Sequence, residues 1–201
     1  MAKCGISLRR VLALAILLSA APALHAAGVM APRFDLSALD GKRYTDRYLV
    51  GRPTLVVFWA SWCPVCQVEL PKLHALFEDV RGRGLQVLAI AFADDEAKVR
   101  QYVRTHAAIF DFPVLYDPHD AVAKRFGVFG TPTIYLINGR GEIEYVTWLI
   151  EDPKLAARLE NLLPPRNVDS QARSAHRVGN GGLTDVSLSS VRGEEPAPAA
   201  P

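Results

Sequence analysis

Apolar and polar positions fall into blocks along this chain. After Lys3, Arg9 and Arg10 comes an apolar run over residues 11 to 24, closed by the small residues Ala20, Ala21, Ala23, Ala26 and Ala27. That order predicts a secretory signal peptide over residues 1–27, with a retained N-terminal anchor as the alternative. Asp40-Gly41 between short apolar stretches predicts a hairpin over residues 34 to 49. The run Leu55-Val56-Val57-Phe58-Trp59 is apolar at every position, as expected of a strand covered on both faces. Pro64 then opens a helical pattern with Val65, Leu70, Leu73, Leu76 and Phe77 on one face, ended by Gly82 and Gly84. Residues 85 to 90 repeat the buried-strand pattern, and Asp94-Asp95-Glu96 marks the acidic start of a helix to about His106.

Val114-Leu115-Tyr116 is a short strand, and Asp117-Pro118 reads as an N-cap with proline at the first helical position. Residues 133 to 137 and 142 to 148 flank Asn138-Gly139-Arg140-Gly141, the composition of a β-hairpin. Asp152-Pro153 repeats the cap signal before a last helix to about Leu163. Early strand–helix alternation with a closing hairpin predicts an α/β fold with a mixed sheet, over residues 28–163. Residues 164–201 are rich in Gly, Ser, Pro and Ala with few large apolar side chains, and are expected to be a disordered tail.

The 201 residues, 50% of them hydrophobic, suffice for one domain with a real core. A net charge of +2, from 23 basic and 21 acidic residues, gives no footprint for nucleic acid or an anionic membrane surface. Cysteine usage changes the picture more. Of the three cysteines, Cys4 lies in the targeting segment, which leaves Cys63 and Cys66 in the domain. A secreted chain stapled by disulfides carries more. A single close pair suggests chemistry.

The pair sits in Trp62-Cys63-Pro64-Val65-Cys66, where the first buried strand meets the first helix. A thiolate is the nucleophile in disulfide exchange, and a helix N-terminus stabilises it. Cys66, three residues on, lies one turn deeper on the same face. The spacing therefore predicts an exposed attacker and a shielded resolver. Half a zinc site is the other reading of such a pair. Zinc needs four ligands, however, and the histidines at 25, 74, 106, 119 and 176 are scattered. On the residues alone, Pro132 reads as an ordinary strand-entry proline and Glu69 as a solvated surface acid.

Taken together, the segment from Phe58 to Cys66 resembles the active-site segment of thioredoxins. Pro71 resembles the proline that kinks the following helix in that family, and Gly130-Thr131-Pro132-Thr133 resembles its cis-proline loop. The match runs from about Phe34 to Leu163, most similar to the exported TlpA, ResA and CcmG (DsbE) group. The resemblance implies a thioredoxin fold, a central mixed β-sheet flanked by helices with an N-terminal β-hairpin extension. It implies Cys63 and Cys66 as a redox-active disulfide with no cofactor and no metal. Trp62, Pro64, Thr131 and Pro132 would bind substrate, the Thr131 backbone pairing with an incoming peptide strand. Glu69 matches the group's buried active-site glutamate, a carboxyl that burial would push up and that could take the Cys66 proton. Thioredoxins proper keep an acid six residues before the first cysteine, where this chain has Val57.

The expected function is that of a periplasmic or otherwise extracytoplasmic protein disulfide oxidoreductase. It would act as a reductase in cytochrome c maturation or related assembly, on protein thiol and disulfide substrates. A membrane electron carrier would re-reduce it, and it would be a monomer that binds no nucleic acid. A dithiol oxidase or isomerase of the same fold is the first alternative, and a thiolate metal chaperone the second. A peroxiredoxin-like peroxidase would carry Thr or Ser three residues before its cysteine, where Ala60 stands.

Overall fold

A computed structural model describes residues 28–166. The targeting segment 1–27 and residues 167–201 of the expected tail lie outside the described residues. Among the described residues, no helix is long and apolar enough to cross a membrane.

The sheet is built around β3 (Thr54–Trp59), which is buried at every position. It pairs in parallel with β4 (Gln86–Ala91), and β4 pairs in parallel with β5 (Val114–Tyr116). On its other side β3 runs antiparallel to β6 (Thr133–Ile137), and β6 antiparallel to β7 (Ile143–Thr147). The order is therefore β5-β4-β3-β6-β7. This is the thioredoxin fold, with a second sheet of two antiparallel strands, β1 (Asp35–Ser37) and β2 (Arg43–Thr45), near the N-terminus.

The unbroken apolar runs have a simple cause. Side chains alternate across a strand, and both faces of this sheet are covered. Leu55, Val57 and Trp59 point into one core layer with Leu70 and Leu73 of α1 (Pro64–Val80) and Leu155 and Leu159 of α4 (Pro153–Leu162). Val56 and Phe58 point into the other, with Phe34, Leu36, Phe126 and Tyr135.

Local signals set the boundaries. Asp95 caps α2 (Glu96–Thr105), accepting from the Ala97 and Lys98 amides at 3.0 and 3.2 Å. Asn138 Oδ1 accepts from the Arg140 and Glu142 amides at 2.9 and 3.1 Å and closes the β6–β7 hairpin. Gly84, at φ +93°, ends the turn that follows α1, a conformation that favours glycine. Gly82 lies inside that turn and does not end the helix.

Two further expectations differ. Val65, expected on the apolar face of α1, is exposed along with Pro64 and Gln67, and Cys66 is the buried residue of that first turn. The helix expected to start at Pro118 instead begins at Ala121, as α3 (Ala121–Phe126). Pro118–Asp120 is a single 3₁₀ turn in which His119 and Asp120 take φ +59° and +57°.

The segment before β1 and the turn after it reach both edges of the main sheet. Near β7, the Ile143 amide donates to the Val29 carbonyl at 2.7 Å and the Ala31 amide to Gly141 at 2.9 Å. At β5, the Leu39 amide donates to the Val114 carbonyl at 2.8 Å, and Ala38 bridges Leu115.

Candidate active site

Cys63 is the N-cap of α1, and its Sγ accepts from the Cys66 amide at 3.1 Å. The two sulfurs are joined in a disulfide, with Cα atoms 5.2 Å apart. Pro64 fits the first helical position because no intrahelical acceptor exists there for the amide it lacks. The N-terminal end of a 17-residue helix thus faces the sulfur pair, with its positive dipole end directed at a site that would become anionic on reduction.

The outer sulfur is less open than the spacing suggested. Cys63 is 3% exposed and Cys66 1%, so both are shielded while oxidised. The cover over Cys63 comes partly from the Thr131–Pro132 segment. Its peptide bond is cis, and the Thr131 carbonyl oxygen lies 3.6 Å from Cys63 Sγ. Thr131 is half-buried and Pro132 buried. Thr131 and Pro132 thus meet the cysteine pair at the N-terminal end of α1.

Trp62 is exposed, but its position is fixed. Its Nε1 donates to the Ala93 carbonyl at 2.8 Å, and the neighbouring Ser61 amide donates to Asp94 at 2.6 Å. Ala93 has φ +50°, and its amide donates to Asp120 at 2.7 Å. Ala93, His119 and Asp120 are the three non-glycine residues at positive φ among the described residues. Two of them form the corner that holds the indole, a cost of order 1–3 kcal/mol each that the surrounding hydrogen bonds must offset. Sequence reasoning missed this corner because none of the three is glycine.

Glu69 is 5% exposed. It lines a cavity of about 10 Å³ with Cys66, Trp59, Leu73, Pro132 and Ile150. The carboxylate is not isolated there. Oε1 accepts from Lys72 Nζ at 3.0 Å, and Oε2 from the Ile150 amide at 2.7 Å. Trp59 is fully buried, and its Nε1 has no hydrogen-bond partner. Sequence reasoning missed both donors: Lys72, although the Glu69–Lys72 spacing of three is that of a same-helix ion pair, and Ile150, which carried no signal because it lies 81 residues along the chain from Glu69.

Phe129 is fully exposed two residues before Thr131. Val65, Val68, Trp148 and Leu149 are exposed as well. These exposed apolar side chains stand on the first turns of α1 and in the loops before β6 and after β7. Away from this site, His74, Glu78 and Asp111 bring ligand atoms within 4.8 Å of one another. Arg81 already spans that group, at 2.8 Å from Glu78 and 3.3 Å from Asp111. Burial would raise the Asp111 carboxyl, but hydrogen bonding shared with Glu78 and His74 outweighs it and holds the group below its ordinary value.

The geometry can support dithiol–disulfide exchange, with one sulfur at a helix N-terminus, a second behind it, and a carboxylate one turn deeper. Comparison with known proteins gives the same chemistry. Residues 27–146 match the family model described as the AhpC/TSA family. The chain is 27% identical over 140 residues to the thiol–disulfide oxidoreductase ResA of Geobacillus thermodenitrificans, covering 69% of this chain and 79% of that protein. It is 32% identical over 121 residues to the thiol:disulfide interchange protein DsbE of Yersinia pestis, covering 59% of this chain and 62% of that one. Among solved structures it is similar to a thiol:disulfide interchange protein of the thioredoxin family from Chlorobium tepidum. There the TM-score is 0.59 and the identity 25%, over 68% of this chain and 97% of the other.

Proposed function

This chain belongs to the AhpC/TSA family and is a thiol–disulfide oxidoreductase of the ResA and DsbE type; from that premise we propose that it reduces disulfides of exported proteins outside the cytoplasm. The substrates would arise in cytochrome c maturation or a related assembly. The observation that carries the reading is Cys63 Sγ at the head of α1, 3.6 Å from the Thr131 carbonyl. This closeness supports the reading, in which the Thr131 backbone pairs with an extended substrate peptide beside the reacting sulfur.

In this reading the Cys63 thiolate attacks one sulfur of a substrate disulfide and forms a mixed disulfide, and the other substrate sulfur leaves as a thiol after taking a proton. Cys66 gives its proton to Glu69 and attacks Cys63 Sγ. The Cys63–Cys66 bond forms, the Cys63–substrate bond breaks, and the departing sulfur is protonated. Two protein thiols are oxidised to a disulfide and the substrate disulfide is reduced to two thiols. Trp62, Pro64, Thr131 and Pro132 hold the substrate segment. A membrane electron carrier returns the electrons, and residues 1–27 export or anchor a monomeric domain.

The test is the reduction potential of the Cys63–Cys66 pair, equilibrated against glutathione. A value near about −270 mV is expected and makes the pair a reductant. A value near about −120 mV would make it an oxidase and reverse the proposed electron flow.

A further inference from the structure

Glu69 is one end of a polar relay from α1 to the loop that follows β7. Lys72 Nζ lies 3.0 Å from Glu69 Oε1 and 2.7 Å from Glu151 Oε2. One cation therefore serves two acids in different surroundings. The Glu69 side chain is 6% exposed and that of Glu151 73%, with Lys72 between them at 35%. The Ile150 amide, in the residue before Glu151, holds the other Glu69 oxygen.

The remaining neighbours of Glu69 are apolar or uncharged. β3 contributes Val57 and Trp59 to the shared cavity, and β6 and the loop before it contribute Ile134 and Pro132. The titratable groups that face the carboxylate are Cys66 and Lys72 from α1, with Glu151 acting through Lys72. For Glu69 to accept a proton from Cys66 it must already be ionised. The Lys72 ammonium and the Ile150 amide both donate to its oxygens, a set of partners suited to a carboxylate. Lys72 is not committed to Glu69 alone. Its ammonium is raised above the ordinary lysine value, first by the hydrogen bond to Glu151 and then by the one to Glu69.

We propose that Lys72 is a positioning residue for the resolving step, keeping Glu69 ionised and aimed at Cys66, and that Glu151 sets how much of the lysine's charge Glu69 receives. The proposal rests on the reading of Glu69 as the acceptor of the Cys66 proton. The resolving step must then weaken towards acid pH, and the position of that acid limb must follow the charges around Lys72.

The experiment uses the pre-reduced full chain with excess oxidised glutathione, following the first-order release of the second glutathione across about pH 4 to 9, a range that brackets carboxylate titration. Lys72→Met should move the acid limb to higher pH and slow release by about fivefold near pH 5. Lys72→Arg should restore most of the rate, and Glu151→Gln should move the limb the other way. A role confined to stability would lower the melting temperature of these variants and leave the limb in place. Lys72→Met with a wild-type limb overturns the inference, and so does Glu151→Gln moving the limb in the same direction as Lys72→Met. Should Lys72→Met fail to fold, the Lys72→Arg and Glu151→Gln profiles decide. Glu69→Gln separates the two claims. If it abolishes the limb while Lys72→Met does not move it, only the role of Lys72 falls; if Glu69→Gln leaves the limb intact, the proton-acceptor reading falls and the Lys72 inference falls with it.

Discussion

Asp117 caps a helix that starts four residues downstream of it. It is 1% exposed, and its carboxylate oxygens accept from the Val122 amide at 2.9 and 3.0 Å and from the Ala123 amide at 2.8 Å. The left-handed His119 and Asp120 turn the chain so that the first amides of α3 face back towards Asp117. Asp117→Ala strands those donors in a buried position and should cost about 1–3 kcal/mol of stability, whereas Asp117→Asn, which keeps one acceptor, should cost less. Urea unfolding midpoints of the two variants check this, and equal midpoints would show that the carboxylate is not a cap. The Asp-Pro signal was visible in the sequence, but its target was not. Two non-glycine residues at positive φ leave no compositional trace. Glu69 shows the same limit in part. Its spacing from Cys66 fixed its helix face and its spacing from Lys72 is that of a same-helix ion pair, but the distant Ile150 amide that holds its other oxygen emerges only when α1 packs against the β7–α4 loop.

At the scale of elements, α4 depends on a cap that also gathers the end of β7. Asp152 accepts from the Lys154 amide at 2.8 Å, from Thr147 Oγ1 at 2.8 Å and from the Tyr145 hydroxyl at 2.9 Å. The Thr147 hydroxyl first, then the Lys154 amide, hold the Asp152 carboxyl below its ordinary value of 3.8. The Tyr145 phenol is pushed up, first by its bond to Asp152. A carboxyl with a lowered folded pKa contributes stability that is fully present above its unfolded value and is lost as pH falls through the folded one. The melting-temperature gap between wild type and Asp152→Asn should therefore be constant from neutral pH down to about pH 5 and close below about pH 4. A gap that persisted unchanged in acid would mean that the charge plays no part. Most elements were legible at this scale because their cause is local. The apolar runs of β3 and β4 are read directly, and the Asp95, Asn138 and Asp152 signals act within a few residues. The sheet order was less legible, since pairing β3 with β6 joins Thr54 to Ile137 across most of the domain.

Across the whole molecule, the N-terminal hairpin is part of the core. Phe34 is 2% exposed and packs in the same layer as Phe58, Leu88 and Ile137. Phe34→Ala should cost about 3–5 kcal/mol, the range for removing a buried aromatic side chain. Phe129→Ala, at a fully exposed ring, should change stability by less than about 0.5 kcal/mol. Chemical denaturation of both variants tests whether the core extends to the hairpin, and a small loss for Phe34→Ala would make the hairpin an appendage.

The N-terminal segment has a further effect through the two edges it touches. An open edge strand presents a row of unused amides and carbonyls, which is a template for another molecule's strand. Here Val29 and Ala31 occupy backbone groups at the start of β7 and just before it, and Leu39 occupies one on β5. The residues that lead into the domain thus also guard it against intermolecular sheet growth. A chain cut just before β2 would lose that protection together with Phe34, so its characteristic failure would be fibrillar self-association as much as unfolding.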